Sequence, residues 1–134
     1  MTRDEIFEKT KAVLVDALGV DEEDVKPTAT LRGDLGAESI DFLDIVFRLE
    51  KAFTTDPANP FKISRGEMFP EEVFTNTEYV DQGKVTQKGL DELKKRMPHM
   101  DLSGMKAGDD IETMQFTVDT VVTFLENKLK AEGR

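Results

Sequence analysis

Asp34-Leu35-Gly36-Ala37-Glu38-Ser39-Ile40-Asp41 is the stretch from which the rest of the chain is read. Gly36 offers a turn, and the serine that follows opens the most apolar helical pattern in the sequence. Placed at about 100° per residue, Ile40, Phe42, Leu43, Ile45, Val46, Phe47, Leu49 and Phe53 cover an arc of roughly 220°, twice the stripe that an ordinary surface helix needs. The pattern predicts a helix from Ser39 to about Phe53 that is covered from more than one side. Asp41, Asp44, Arg48 and Lys51 fill the remaining arc, giving an acidic start and a basic later half. Glu50 falls inside the apolar arc, where periodicity offers no reason for it. A serine at a helix start can accept a backbone N–H bond, and capping is the least that Ser39 is expected to do.

Upstream, Thr2 and Glu5 stand at capping-box spacing, and Ile6, Phe7, Val13, Leu14, Ala17 and Leu18 follow at helical intervals. Gly19 supplies the left-handed residue that ends this first helix. Residues 20–38 lack a helical period and form a long connection, pinned across the helices by Val20, Val25, Leu31 and Leu35. The acidic run from Asp21 to Asp24 is not a calcium loop, because the alternating Asp/Asn ligands, central glycine and terminal glutamate are missing.

Downstream, Pro57, Asn59 and Pro60 break the helix, and Ser64 with Glu67 marks a short helical turn that Pro70 interrupts. Residues 70–112 read as an insertion with a structure of its own within a single domain spanning 1–134. Tyr79-Val80 and Val85-Thr86 bracket Asp81-Gln82-Gly83-Lys84 as a tight turn or short hairpin. Thr86 caps a helix from Gln87 to Met97 that turns Leu90, Leu93 and Met97 to one face and stops at Pro98. Lys84 to Arg96 carries a local charge of +3 in a chain whose remainder is -13. Gly104, Gly108, Asp109 and Asp110 mark a loop. Thr117 then caps a last helix with Val118, Val121, Val122, Leu125 and Leu129 as its core stripe.

The 134 residues, 38% of them hydrophobic, suffice for one domain with a sizeable core. With no cysteine, disulfides and thiolate metal sites are excluded. No apolar run reaches membrane-spanning length, and Thr2-Arg3-Asp4-Glu5 lacks a signal peptide's basic start, so a cytoplasmic location without stable membrane insertion is expected. A net charge of -10 repels nucleic acid and favours proteins that present basic patches. Gly36-Ala37-Glu38-Ser39-Ile40 lacks the second glycine of a nucleophile elbow. The lone histidine, His99, is expected at the surface rather than as a base, so nucleophilic and metal catalysis are both unsupported.

The order of a capped first helix, Leu18-Gly19-Val20, an acidic run, Val25, then Asp34-Leu35-Gly36-Ala37-Glu38-Ser39-Ile40-Asp41 and an apolar helix ending Leu49-Glu50-Lys51-Ala52-Phe53 resembles an acyl carrier protein. The resemblance covers residues 3–53 and resumes at about 113–130. Where the family commonly reads Asp-Ser-Leu, this chain has Glu38-Ser39-Ile40, which keeps the charge before the serine and the apolar residue after it. The resemblance implies an all-α antiparallel four-helix bundle, with the family's short third helix near Ile63 to Phe69. It also implies 4′-phosphopantetheine on Ser39, attached by a separate phosphopantetheinyl transferase, and a monomeric carrier rather than an enzyme. Partners would be ketosynthase and acyltransferase-type enzymes, met through Asp34, Glu38, Asp41 and Asp44. The cargo would be acyl chains, held as thioesters for a specialised lipid or fatty-acid pathway. A peptidyl or aminoacyl carrier, or an unmodified interaction module of the same fold, is the alternative. Arg48 and Lys51 depart from the acidic or neutral character of related proteins there, and the insertion has no counterpart in an ordinary carrier.

Overall fold

The computed structural model describes residues 1–64, 68, 73, 75–97, 99, 102, 104–110 and 116–133, and the side chain of Ser39 lies outside that description. Two compact units emerge, residues 1–63 with 116–134, and residues 64–115.

Among the described residues, three α-helices build the first unit. Helix α1 (Arg3–Leu18) starts where the Thr2 hydroxyl accepts the Glu5 N–H at 3.2 Å and the Glu5 carboxylate accepts the Thr2 N–H at 3.1 Å. The Thr2 N–H, joined by the Thr2 hydroxyl donating to the same carboxylate at 3.0 Å, lowers the Glu5 carboxyl from its ordinary value. Gly19, at φ 67°, ends the helix in the left-handed conformation that a side chain would resist. A single 3-10 turn, Glu22–Asp24, occupies the acidic run. Helix α2 (Ser39–Phe53) follows the long connection and breaks before Pro57.

The last helix of this unit spans Val118–Ala131 and is capped by Thr117, whose hydroxyl accepts the Thr120 N–H at 3.2 Å. Its predicted stripe of Val118, Val121, Val122, Leu125 and Leu129 is buried throughout. Ile6, Val13 and Leu14 of α1 and Phe42, Ile45, Leu49 and Phe53 of α2 complete the core. Each such side chain contributes about 1.5–3 kcal/mol on burial, which makes this core the main support of the unit. Arg3 adds a polar clasp to the last helix, reaching Asp119, Thr123 at 3.0 Å and Glu126 at 3.5 Å.

The expectation that α2 is covered on more than one side is corrected here. Ile40, Leu43 and Phe47 are 76%, 71% and 55% exposed. The wide apolar arc is therefore two surfaces: a core stripe, and an apolar stripe that faces solvent. Glu50 acquires a reason too. Its carboxylate accepts the Ile63 N–H at 2.8 Å, while the Thr54 hydroxyl accepts the Phe61 N–H at 2.9 Å. Together they pin the chain as it returns from the helix break.

The second unit has its own hairpin, helix and core. Strands β1 (Val80–Asp81) and β2 (Lys84–Val85) pair antiparallel, joined by Gln82 at φ 53° and Gly83 at φ 78°. Two left-handed residues match the twist of a two-residue hairpin. Helix α3 (Gln87–Arg96) begins at Thr86, whose hydroxyl accepts the Gly89 N–H at 3.0 Å, and it leads to α4, the Val118–Ala131 helix of the first unit. Leu90, Leu93 and Met97 are buried as predicted, with Met68, Val73, Val85 and Leu102. A Cβ on Gly89 would fall 2.0 Å from the Tyr79 carbonyl oxygen, so only glycine lets the helix start this close to the hairpin. Lys88 and Glu78 pair at 2.9 Å, which lowers the Glu78 carboxyl and raises the Lys88 ammonium from their ordinary values.

His99 is a second correction. It is buried, with a ring nitrogen 3.2 Å from the Met68 carbonyl oxygen, and is not a surface residue. Of the expected third helix, Ile63 and Ser64 are non-helical, while residues 65–67 and 69 lie outside the description, as does Glu67 of the proposed short cap.

Candidate functional site

The loop that delivers Ser39 is stitched to the start of α4. Leu31 N–H donates to the Phe116 carbonyl at 3.0 Å, Val118 N–H to Ala29 at 2.9 Å and Asp119 N–H to Pro27 at 2.9 Å, around a bridge between Thr30 and Thr117. Val25, Leu31, Leu35 and Ala37 are buried beneath it, and Val20 is half-buried. Three of the four expected apolar anchors are thus fully engaged. The Asp34 carboxylate accepts the Thr30 N–H at 2.9 Å, while the Thr30 hydroxyl accepts the Asp34 N–H at 3.0 Å, closing a turn on itself. Gly36, at φ 71°, then reverses the chain, and Ala37 N–H donates to Leu31 at 2.7 Å.

This path places Ser39 at the first helical position of α2, with Glu38 as the residue before the helix. The cap expected of the serine's hydroxyl lies outside the described side chains, and its neighbours close the first turn. The Asp41 carboxylate accepts the Glu38 N–H at 2.8 Å, and the Asp41 N–H donates to the Glu38 carbonyl at 3.0 Å. These two bonds hold the helix start. An anion attached at this end of α2 lies at the positive end of its dipole, favourable by about 0.3–1 kcal/mol. In this respect the backbone suits a phosphodiester on Ser39.

The four carboxylates predicted around the serine do not act alike. Asp34 locks the loop and Asp41, half-buried, holds the helix start. Glu38 is exposed, and Asp44 is exposed and pairs with Arg48 one turn on, at 2.9 Å. Sequence reasoning missed the apolar part of the site. Ile40, Leu43 and Phe47 lie at spacings of three and four residues, so they form one exposed ridge running away from Ser39. Periodicity gives the width of an apolar arc and not which half of it finds a neighbour. The signal in the sequence was excess width alone. Among the described residues no group of three or more His, Asp or Glu side chains could hold a metal ion, and no helix is long and apolar enough to cross a membrane.

Comparison with known proteins bears on the same segment. The phosphopantetheine attachment site family matches residues 8–59, and 4′-phosphopantetheine is the group that this family's site holds. An acyl carrier protein of Rubrobacter xylanophilus is 45% identical over 53 residues, covering 40% of this chain and 65% of that protein. One of Petrotoga mobilis is 43% identical over 53 residues, covering 40% and 62%. One of Thermotoga maritima is 45% identical over 65 residues, covering 47% and 80%. The chain spans a little under two thirds of the length of the first two relatives. No solved structure matches.

Proposed function

The chain belongs to the acyl carrier protein family, and from that membership we propose that Ser39 bears 4′-phosphopantetheine as a phosphodiester and that the protein carries acyl groups for a specialised lipid or fatty-acid pathway in the cytoplasm. The group supplies a thiol on a flexible arm, where acyl chains are held as thioesters. The chain's own residues do the rest. Gly36 and the Asp34–Thr30 lock present the serine, and Asp41 holds the helix start beneath it. Glu38 and Asp44 give the rim its negative charge, while Ile40, Leu43 and Phe47 offer the surface that a partner can bury.

The single observation that carries this reading is the exposed ridge beside the serine. Three large hydrophobic side chains on successive turns next to a modification site are a docking surface in search of a partner. Such partners are phosphopantetheinyl transferase, ketosynthase and acyltransferase-type enzymes, with acidic rim meeting basic patch and ridge meeting apolar pocket. Carriage of the chain has a physical motive as well. A ten-methylene acyl chain left in water forfeits about 8 kcal/mol relative to an apolar site, so a carrier gains from delivering it to one.

Incubation with an acyl-coenzyme A and a broad-specificity transferase tests the reading. The protein is expected to gain one acyl-phosphopantetheine, from which hydroxylamine releases the acyl group alone. A Ser39→Ala variant is expected to fold and to gain nothing. An unmodified wild type after treatment with several transferases would leave an interaction module of the same fold in its place.

A further inference from the structure

The exposed surface of α2 changes sign along its length. Glu38 just before the helix and Asp44 in its second turn are acidic, and its last turns carry Arg48 and Lys51. These two cations do not stand alone, because α1 brings Lys9 to the same place. Lys9, Arg48 and Lys51 line an open groove of about 480 Å³ between the two helices, floored by Ala12, Val13 and Ala52, with Asp16 as the one carboxylate among the described lining residues. Three cations converge in a chain whose net charge is -10.

Local duties account for part of this arrangement. Arg48 pairs with Asp44, and Lys51 sits where a cation favours the end of a helix. Lys9 has a local duty too, donating to the Ala52 carbonyl at 3.2 Å and lying 5.4 Å from the centre of the Phe53 ring, and these contacts fix its charge at the end of α2 beside the groove. The Lys51 ammonium lies 4.5 Å from the centre of the Phe47 ring, which joins the basic groove to the apolar ridge without a break. The small side chains of Ala12 and Ala52 leave room above the floor for another chain to approach.

Resting on the carrier reading, we infer that the groove between α1 and α2 is the far half of the docking surface and that Lys9, Arg48 and Lys51 select a partner enzyme that sets an acidic segment there. The surface is bipolar: a basic patch on the partner meets Glu38 and Asp44, the ridge is buried between, and a carboxylate-bearing segment lies in the groove. An enzyme whose docking face is basic throughout meets like charge at the groove, so these residues also determine specificity by exclusion.

Two measurements test this. The first compares the phosphopantetheinylated wild type with Arg48→Glu/Lys51→Glu as substrates for the malonyl transferase of a general fatty-acid synthase. Arg48→Gln/Lys51→Gln runs in parallel, because it adds no carboxylate to repel Asp44 and disturb the helix. Both variants are expected to raise kcat/KM through KM, the Glu pair by tenfold or more. The second titrates the isotope-labelled protein, without modification, with an amphipathic helical peptide of leucine and glutamate, and with its glutamine counterpart. The glutamate peptide is expected to shift the amides of Lys9, Ala12 and Lys51 at low salt, and the glutamine peptide is not.

Values of kcat/KM within twofold of wild type, or equal shifts with both peptides, would overturn the inference. So would shifts of the same amides with protein concentration alone, which would assign the face to a second copy of this chain. Intact mass after the transferase step separates this from the carrier reading. Absence of modification refutes the carrier and leaves the peptide titration to decide the groove, whereas full modification with indifferent kinetics sinks the groove alone.

Discussion

Asp41 stands two residues after the serine and looks from the sequence like one more carboxylate on an acidic rim, yet its oxygen accepts the Glu38 N–H and holds the start of α2. Replacing it with lysine therefore removes a structural bond as well as a charge. Asp41→Lys is expected to lower stability by about 1 kcal/mol, the typical cost of a lost cap, seen as a lower melting temperature. Asp44 pairs with Arg48 on the exposed face, a contact of about 0–1 kcal/mol. Asp44→Lys is thus expected to melt close to wild type while slowing the transferase at low salt, and raised salt is expected to slow the wild type toward it. Equal rates at every ionic strength would reduce the rim to a solubility feature. Glu50 makes the complementary point. Its bond to the Ile63 N–H depends on residues thirteen apart that a helical wheel never brings together.

At the scale of an element, the caps were legible because they are local. Thr2, Thr86 and Thr117 each accept an N–H three residues ahead, and Gly19 ends α1 at positive φ, all within reach of a short window of sequence. What the window could not show is how the two halves of the α2 arc differ, since burial is decided by what packs against α2, α1 above all, and not by α2 itself. The difference predicts opposite outcomes for similar changes on one helix. Leu49→Ala, at a fully buried position, is expected to cost about 2–5 kcal/mol in denaturant unfolding. Phe47→Ser, on the ridge, is expected to change stability by no more than about 0.5 kcal/mol and to raise KM for partner enzymes. A Phe47→Ser protein that unfolds early, or that partners accept as readily as before, would remove the ridge from the docking surface. The bridge between Thr30 and Thr117 also escaped the sequence, because it joins a loop to a helix start 87 positions away.

At the scale of the molecule, the first unit contains the matched segment and the second unit, residues 64–115, lies beyond it. The second unit's helix and hairpin were readable from Thr86 and from the Gln82-Gly83 turn, but its reliance on Gly89 was not, since only the approach of Tyr79 forbids a side chain there. Gly89→Ala is expected to abolish amide-exchange protection over Gln87–Arg96, while phosphopantetheine transfer to Ser39 continues. We propose that this segment is an insertion in a single carrier domain, with an influence on cargo or partner. Leu90→Ser with Leu93→Ser is expected to alter the acceptance of long acyl chains, and unchanged chain-length preference would make the segment an appendage. Its buried His99, 3.2 Å from the Met68 carbonyl, was unreadable because the lone histidine's surroundings are assembled from distant parts of the chain.

The central claim is that the loop, the turn at Gly36 and the start of α2 exist to present one serine. Fragment-ion mass spectrometry of the protein after incubation with coenzyme A and a phosphopantetheinyl transferase addresses it most directly. A single phosphopantetheine on the peptide that contains Ser39, and on no other, is the predicted result. Failure to gain the group, or its attachment to any other residue, would contradict the account.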